Sequence, residues 1–220
     1  MKKITITQIS EKKIKAGNPL LQMEDFPNEL SFDEGELVEL VDSRQKFVAK
    51  AYLAKQNKGV GWVFSLDNAD SFNEAFFKKQ FEKAKRKRTD LQSDPETTTY
   101  RLFNAEGDGI PGVTIDHYDG FAVVSWYSEG IFRYQTAIIA AFQAVFPETK
   151  GIYEKFRYQR KDGLISRYVR GDAAPTPLIV KENGINYATY LDDGLMTGIF
   201  LDQREVRGAL TERYAAGKRV

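Results

Sequence analysis

The 220-residue sequence contains no cysteine and a single histidine. The first absence excludes disulfides, thiolate metal sites, CxxC redox chemistry and a cysteine nucleophile within these residues. The second leaves no multi-histidine metal site and no spare imidazole for a triad, so His117 reads as a polar residue on a sheet face. An excess of one charge is missing too: 32 Lys and Arg stand against 31 Asp and Glu, a net +1. The chain as a whole is therefore neither a basic nucleic-acid tail nor an acidic solvating one, and a charged partner must be met locally. No apolar run reaches membrane-spanning length, and the opening MKKITITQIS alternates like a strand instead of forming a signal-peptide core. These absences predict a cytoplasmic protein with no membrane partner.

What is present is ordinary globular material, 42% hydrophobic, 13% aromatic and 29% charged, enough for one large or two small domains. Short strand-like runs at Lys3–Gln8, Glu36–Asp42, Phe47–Leu53 and Val60–Leu66 predict a small β-barrel over residues 1–70. Through residue 77 it carries ten basic against twelve acidic residues, so only a local patch, Lys12, Lys13 and Lys15 beside Gly17, suits a phosphate backbone. Residues 71–99 read as a linker helix and connector, with Ser71 as N-cap, Glu74 as its capping-box partner, and a basic end at Lys83–Arg88. Residues 100–175 predict an α+β unit. Its strands lie near 100–104, 113–118, 121–127, 151–159 and 164–170, around an amphipathic helix over 131–145 ended by Pro147. Residues 176–220 predict a hairpin turning at Asn183-Gly184, then a helix over 200–215 closed by Gly217, with a strand starting at Lys218.

Few stretches carry chemistry. Gly107-Asp108-Gly109-Ile110-Pro111-Gly112 satisfies GxGxxG, but it leads into the β-branched run Val113-Thr114-Ile115 and no helix, so a structural turn is expected. Between 155 and 170, Lys155, Arg157, Arg160, Lys161, Arg167 and Arg170 face only Asp162 as a counter-charge and interleave with Phe156, Tyr158 and Tyr168. Strand alternation puts Lys155 and Arg157 opposite Phe156 and Tyr158, a basic face suited to phosphates with aromatics at its rim, or simply a solvated hairpin. Asp192, Asp193, Asp202 and Glu205 group near a turn and a helix start, as a metal or acid/base pair or as acids balancing a helix dipole.

Thr197-Gly198-Ile199-Phe200-Leu201-Asp202-Gln203-Arg204, followed by Arg207 and Gly217, resembles the TGxFLDQR motif of the bacterial 23S rRNA (cytosine-5) large-subunit methyltransferases that carry an N-terminal PUA domain. Arg101-Leu102-Phe103-Asn104, continuing to Gly112 with Asp116 and Tyr118, is similar to that family's RLxNxExDGxPGxxxDxY stretch. Two departures stand out: Leu195-Met196 where Gln-Lys often precedes the TG pair, and Gly17-Asn18-Pro19-Leu20 where a GHPW loop is common. The resemblance implies a PUA-like RNA-binding barrel, an EEHEE α+β domain, and a lead-in to a Rossmann-like methyltransferase domain that is absent or only begun. It implies S-adenosylmethionine as cofactor, with Thr197, Gly198, Phe200, Asp202, Gln203 and Arg204 as cofactor-side candidates. Ribosomal RNA is the implied partner, with Arg207 joining the basic residues above, no DNA partner, and homodimerisation left open. No catalytic residue is expected in this chain, because cytosine C5 methylation needs a cysteine nucleophile. A stand-alone RNA-binding module, or the same architecture acting on another RNA, are the alternatives.

Overall fold

In the computed structural model, residues 1–56, 59–215 and 217 are described. The N-terminal unit is a five-stranded sheet in the order β1-β3-β4-β5-β2, made of β1 (Lys2–Thr5), β2 (Leu20–Leu21), β3 (Leu37–Val41), β4 (Phe47–Gln56) and β5 (Gly59–Ser65). β1 runs parallel to β3 and the other pairs are antiparallel. The expected first strand is shorter than its sequence signal. Thr7 caps a helix instead, α1 (Gln8–Lys15), its hydroxyl accepting from the Ser10 amide at 3.2 Å while Ile6 and Ile14 point into the core.

The linker helix, α2 (Glu74–Lys87), starts two residues later than its expected cap. Asn73, not Ser71, accepts the Phe76 amide at 3.1 Å, because Ser71 is held before the helix by the contact of its carbonyl with the Asn73 amide. A short helix, α3 (Thr89–Ser93), occupies part of the expected connector.

The second sheet contains β6 (Thr99–Asn104), β7 (Val113–Tyr118), β8 (Phe121–Trp126), β9 (Gly151–Phe156) and β10 (Ser166–Gly171), in the spatial order β10-β9-β8-β7-β6. A one-turn helix, α4 (Ala105–Asp108), joins β6 to β7. Apart from it, the chain places three strands before its helices and two after, one strand more than an EEHEE order counts. The Asp119-Gly120 turn has positive φ at both residues (45° and 92°), which fits a tight hairpin with the right-handed strand twist. β8 and β9 are parallel, joined across one face by α5 (Glu129–Phe132) and α6 (Gln135–Val145). The single helix expected over 131–145 is split at Arg133-Tyr134. The Tyr134 hydroxyl leaves the helix line to donate to the Gly35 carbonyl at 2.6 Å, tying this unit to the first.

Alternate residues of the second sheet, among them Val113, Ile115, Val124, Trp126, Ile152 and Phe156, pack with Phe77, Phe81, Ile138 and Phe142 from α2 and α6. Each such side chain removed from water contributes about 1.5–3 kcal/mol. The same core takes in Tyr52, Trp62 and Phe64 of the first sheet, so the two units share one apolar interior. Gly130 lies where a Cβ would come within 2.5 Å of the Ala54 methyl, and only glycine permits α5 to approach β4 this closely.

The last segment is the hairpin β11 (Leu178–Glu182) and β12 (Ile185–Thr189), then a loop, then α7 (Arg204–Leu210), which continues as a π-turn over Thr211–Ala215. None of these helical residues is buried, and Val206, Leu210 and Tyr214 form an exposed stripe at i, i+4, i+8. Gly217 has the positive φ of a C′ residue, 70°. The strand expected from Lys218 lies outside the described residues. No described helix is long and apolar enough to cross a membrane.

Candidate functional site

The face of the second sheet away from α2 and α6 carries the residues that alternate with the core. Arg101 on β6, Asp116 and Tyr118 on β7, Ser125 on β8 and Lys155 on β9 line a cleft of about 480 Å³, closed on its far side by Thr197, Phe200 and Asp202. The two motif stretches, some eighty residues apart in the chain, therefore meet here. The Tyr118 hydroxyl lies 2.8 Å from Thr197 Oγ1 in a buried hydrogen bond. Lys155 is wholly buried and its ammonium donates to the Gly194 carbonyl at 2.7 Å and the Met196 carbonyl at 3.4 Å, so a β9 side chain latches the loop that carries the TG pair. Gly198 turns that loop at φ 100°.

Burial dominates the electrostatics of this cleft. It pulls the Lys155 ammonium down to about 8, helped by the neighbouring Arg157 charge. It raises the Asp116 carboxyl above its ordinary range, against the opposing pull of the Arg101 guanidinium, which grips Asp116 through Nε and Nη2. His117 points the other way: it stacks on Tyr100 at 5.0 Å between centroids, and burial drops its pKa to about 4, so it is a neutral packing residue. The GxGxxG stretch is a turn as expected, and its Asp108 is tied to α2 by Lys87 at 2.9 Å and Arg88 at 2.6 Å. Lys85, Lys87 and Arg88 of the basic run ending α2 are held in structural contacts, while Lys83 and Arg86 stay exposed. Asp192, Asp193, Asp202 and Glu205 do not assemble: no cluster of three or more metal-ligating side chains exists among the described residues.

The cofactor-side candidates divide. Thr197, Phe200 and Asp202 line the cleft, Phe200 with its ring 56% exposed. Gln203 ends the short turn Leu201–Gln203, exposed and outside the residues that line the cleft, and Arg204 turns away to donate to Asn183 Oδ1 at 3.2 Å. Phe200 and Asp202 offer an apolar ring and a carboxylate on the cleft's open edge, which fits one wall around S-adenosylmethionine and no more than one wall.

The basic candidates divide further, and the single basic face expected over 155–170 is corrected. Arg157 remains exposed on the cleft side. Lys155 is on that face but buried as a latch. Arg167 pairs in register with Glu154, so it lies on the helix side, with Nε at 2.7 Å from the buried Glu154 carboxylate and its guanidinium near the Phe132 and Phe156 rings. Arg160 stacks 4.3 Å over Phe156 and pairs with Asp162, and Arg170 donates to Gln143 on α6 at 2.7 Å. Arg207 makes a two-pronged bond to the buried Glu182 at 2.7 Å on each arm, closing α7 onto its hairpin. In the N-terminal patch, Lys13 is taken up by Gln22 and Asp25 and Lys15 by Glu11, leaving Lys12 exposed.

Three contributors to the cleft were not picked out as site residues by the sequence. Asp116 and Arg101 were visible only as motif letters, and Tyr127 was not singled out at all. Tyr127 continues the parity of Val123 and Ser125 one step past β8, which is the signal that points to it.

The comparisons with known proteins join this geometry to a family. A PUA-like domain model matches residues 4–66. The Bacillus subtilis (strain 168) protein named "Putative ribosomal RNA large subunit methyltransferase YwbD" is 42% identical over 224 residues, covering 100% of this chain and 57% of that protein. Ribosomal RNA large subunit methyltransferase I of Cronobacter sakazakii is 34% identical over 190 residues, 84% of this chain and 48% of that protein. A solved structure titled "A putative sam-dependent methyltransferase from Streptococcus mutans" superposes with a TM-score of 0.91 at 44% identity, covering 99% of this chain and 56% of that one. The chain is a homologue of large-subunit ribosomal RNA methyltransferases over their N-terminal part. It spans about half the length of the curated relatives it matches. A second solved structure, titled "Crystal structure of SMU.776, a putative methyltransferase complexed with SAH", superposes with a TM-score of 0.92 at 44% identity, covering 99% of this chain and 55% of that one. The PUA-like match coincides with the first sheet, and the resemblance carried by the two motifs coincides with the residues that build the cleft.

Proposed function

We propose that this chain is the RNA-positioning portion of an S-adenosylmethionine-dependent methyltransferase that forms 5-methylcytosine in 23S rRNA. The observation that carries the reading is the meeting of the two motif stretches at one cleft, through Tyr118–Thr197 and the Lys155 latch. S-adenosylmethionine, when bound, supplies an electrophilic methyl group. The residues here serve the reaction by position. Arg157 offers a guanidinium to a phosphate, Thr197 and Gly198 fix the loop, and Phe200 and Asp202 present one edge toward the cofactor. With no cysteine in the sequence, the nucleophile that attacks cytosine C6 comes from outside these residues. Ribosomal RNA as the partner, a cytoplasmic location and the absence of DNA or membrane partners belong to the same reading.

A chimera tests it, with this chain replacing the matching part of the Bacillus subtilis relative. The expected result is transfer of label from S-adenosylmethionine to 23S rRNA, recovered as 5-methylcytidine after nucleoside digestion. A folded chimera that binds S-adenosylmethionine and leaves 23S rRNA unlabelled would contradict it.

A further inference from the structure

Three clefts converge on one side chain. The cleft under the TG loop, a second of about 470 Å³ reaching Leu20 and Trp62 of the first sheet, and a third of about 1200 Å³ running toward Glu34 and Tyr158 all include Tyr127 in their walls. Pairwise they also share Gln56, Arg101, Asn104 or Arg157, so they adjoin as a trough between the PUA-like unit and the TG loop. Tyr127 sits where they join because β8 and β9 are parallel and in register, Trp126 opposite Phe156. The next residues, Tyr127 and Arg157, therefore emerge side by side at the carboxyl ends of adjacent strands, and the Arg157 amide donates to the Trp126 carbonyl at 2.7 Å. Tyr127 is fixed from both flanks: its amide donates to the Gly112 carbonyl at 3.0 Å, and its carbonyl accepts from Gln56 Nε2 at 3.1 Å. Tyr127 stays partly exposed on this mount, and Arg157 beside it is exposed, with no side-chain hydrogen bond or ion pair among the described residues.

The trough is not a phosphate track. Its five acidic side chains, Glu34, Glu106, Asp116, Glu129 and Asp202, outnumber its four basic ones, Lys55, Arg101, Lys155 and Arg157. A ligand that binds mainly through a duplex backbone gains little here, since that mode needs many cations along its path. A partly exposed phenol with one unpartnered guanidinium next to it is suited to a splayed base stacked on the ring and its phosphate on the arginine, which is how unpaired RNA is held. We propose that Tyr127, with Arg157, is a stacking platform for an unpaired RNA base, and that single-stranded RNA lies in this trough between the PUA-like unit and the TG loop. The inference rests on RNA being the partner, as proposed above, and adds where and in what form it is held.

The test is fluorescence anisotropy with the 220-residue chain and a fluorescein-labelled single-stranded oligocytidine, against a fully paired RNA duplex. Wild type is expected to favour the single strand. Tyr127→Ala is expected to weaken it about 10-fold, Tyr127→Leu to do the same, and Tyr127→Trp to stay within about two-fold, because stacking depends on the ring's π-face and not on apolar bulk. Arg157→Ala is expected to flatten the salt dependence, and Tyr127→Ala to leave it intact. Equal affinity in wild type and Tyr127→Ala, loss in the Trp variant equal to that in Ala, or a preference for the duplex would each overturn the platform while leaving RNA binding standing. Failure of wild type to bind either RNA would remove the RNA reading itself, and the platform with it.

Discussion

The two faces of the second sheet are built from the same five strands and do opposite work. Toward α2 and α6, Ile115, Val124, Trp126 and Phe156 are buried among phenylalanines, and even the charges there, Glu154 with Arg167, are closed into a pair. Toward the cleft, their immediate neighbours in sequence are Asp116, Ser125, Tyr127 and Arg157, a set that a stability-driven design would avoid. A strand's period of two lets one element hold a packed interior and display a site, with the hydrophobic face providing the rigidity that the polar face needs. One consequence is that two arginines ten residues apart, equivalent by composition, belong to different functions.

The largest effect that separates the faces should come from Phe81→Ala, which empties a fully buried site against Phe103 and Phe142. A loss of about 3–5 kcal/mol in denaturant unfolding is expected, with RNA affinity unaltered in the folded fraction. Next comes Arg167→Ala, which strands the buried Glu154 carboxylate. Because Arg167 is 39% exposed at its side chain, solvent screening discounts the loss to about 1–3 kcal/mol. Calorimetry should register a lowered Tm and the anisotropy assay no change in RNA affinity, and the reverse pattern would place Arg167 on the wrong face.

Lys155 sharpens the comparison through pH. Its folded pKa of about 8 lies below the ordinary 10.5, so between those values the unfolded chain binds more protons and stability rises with pH. Lys155→Met should lack that rise when the two proteins are unfolded in parallel from pH 8 upward. The tyrosine contributions common to both cancel in the difference, and parallel curves would refute the buried latch. The smallest effect is Arg157→Ala, which should leave Tm in place and cost roughly 1 kcal/mol of RNA affinity with a shallower salt slope.

The longer strands of both sheets and the two tight turns were legible because alternation and residues tolerant of positive φ mark them directly, whereas β2 (Leu20–Leu21) is too short to show any alternation. Helix α1 was not, since Thr7-x-x-Ser10 lacks the glutamate of a full capping box and Ile14 is the one apolar residue that the helix buries. The split of the 131–145 helix depends on a contact between Tyr134 and Gly35, ninety-nine residues apart, which no local pattern encodes. The partition of the basic residues failed for the same reason. Alternation along β9 separates Lys155 from Glu154, but the side on which Arg167 falls is set by its register against β9, and the register shifts at Tyr168–Arg170. The motif residues were readable as a resemblance, whereas their convergence needed the tertiary fold.

The most direct test of the central claim is a hydrogen-exchange footprint of the chain with and without a single-stranded segment of 23S rRNA. Slowed exchange concentrated at residues 113–118, at Tyr127–Ser128 and at 194–202 is the predicted result. Protection confined to α2 and α6, with the TG loop and Tyr127 unaffected, would contradict the assignment of the polar face as the RNA-holding side.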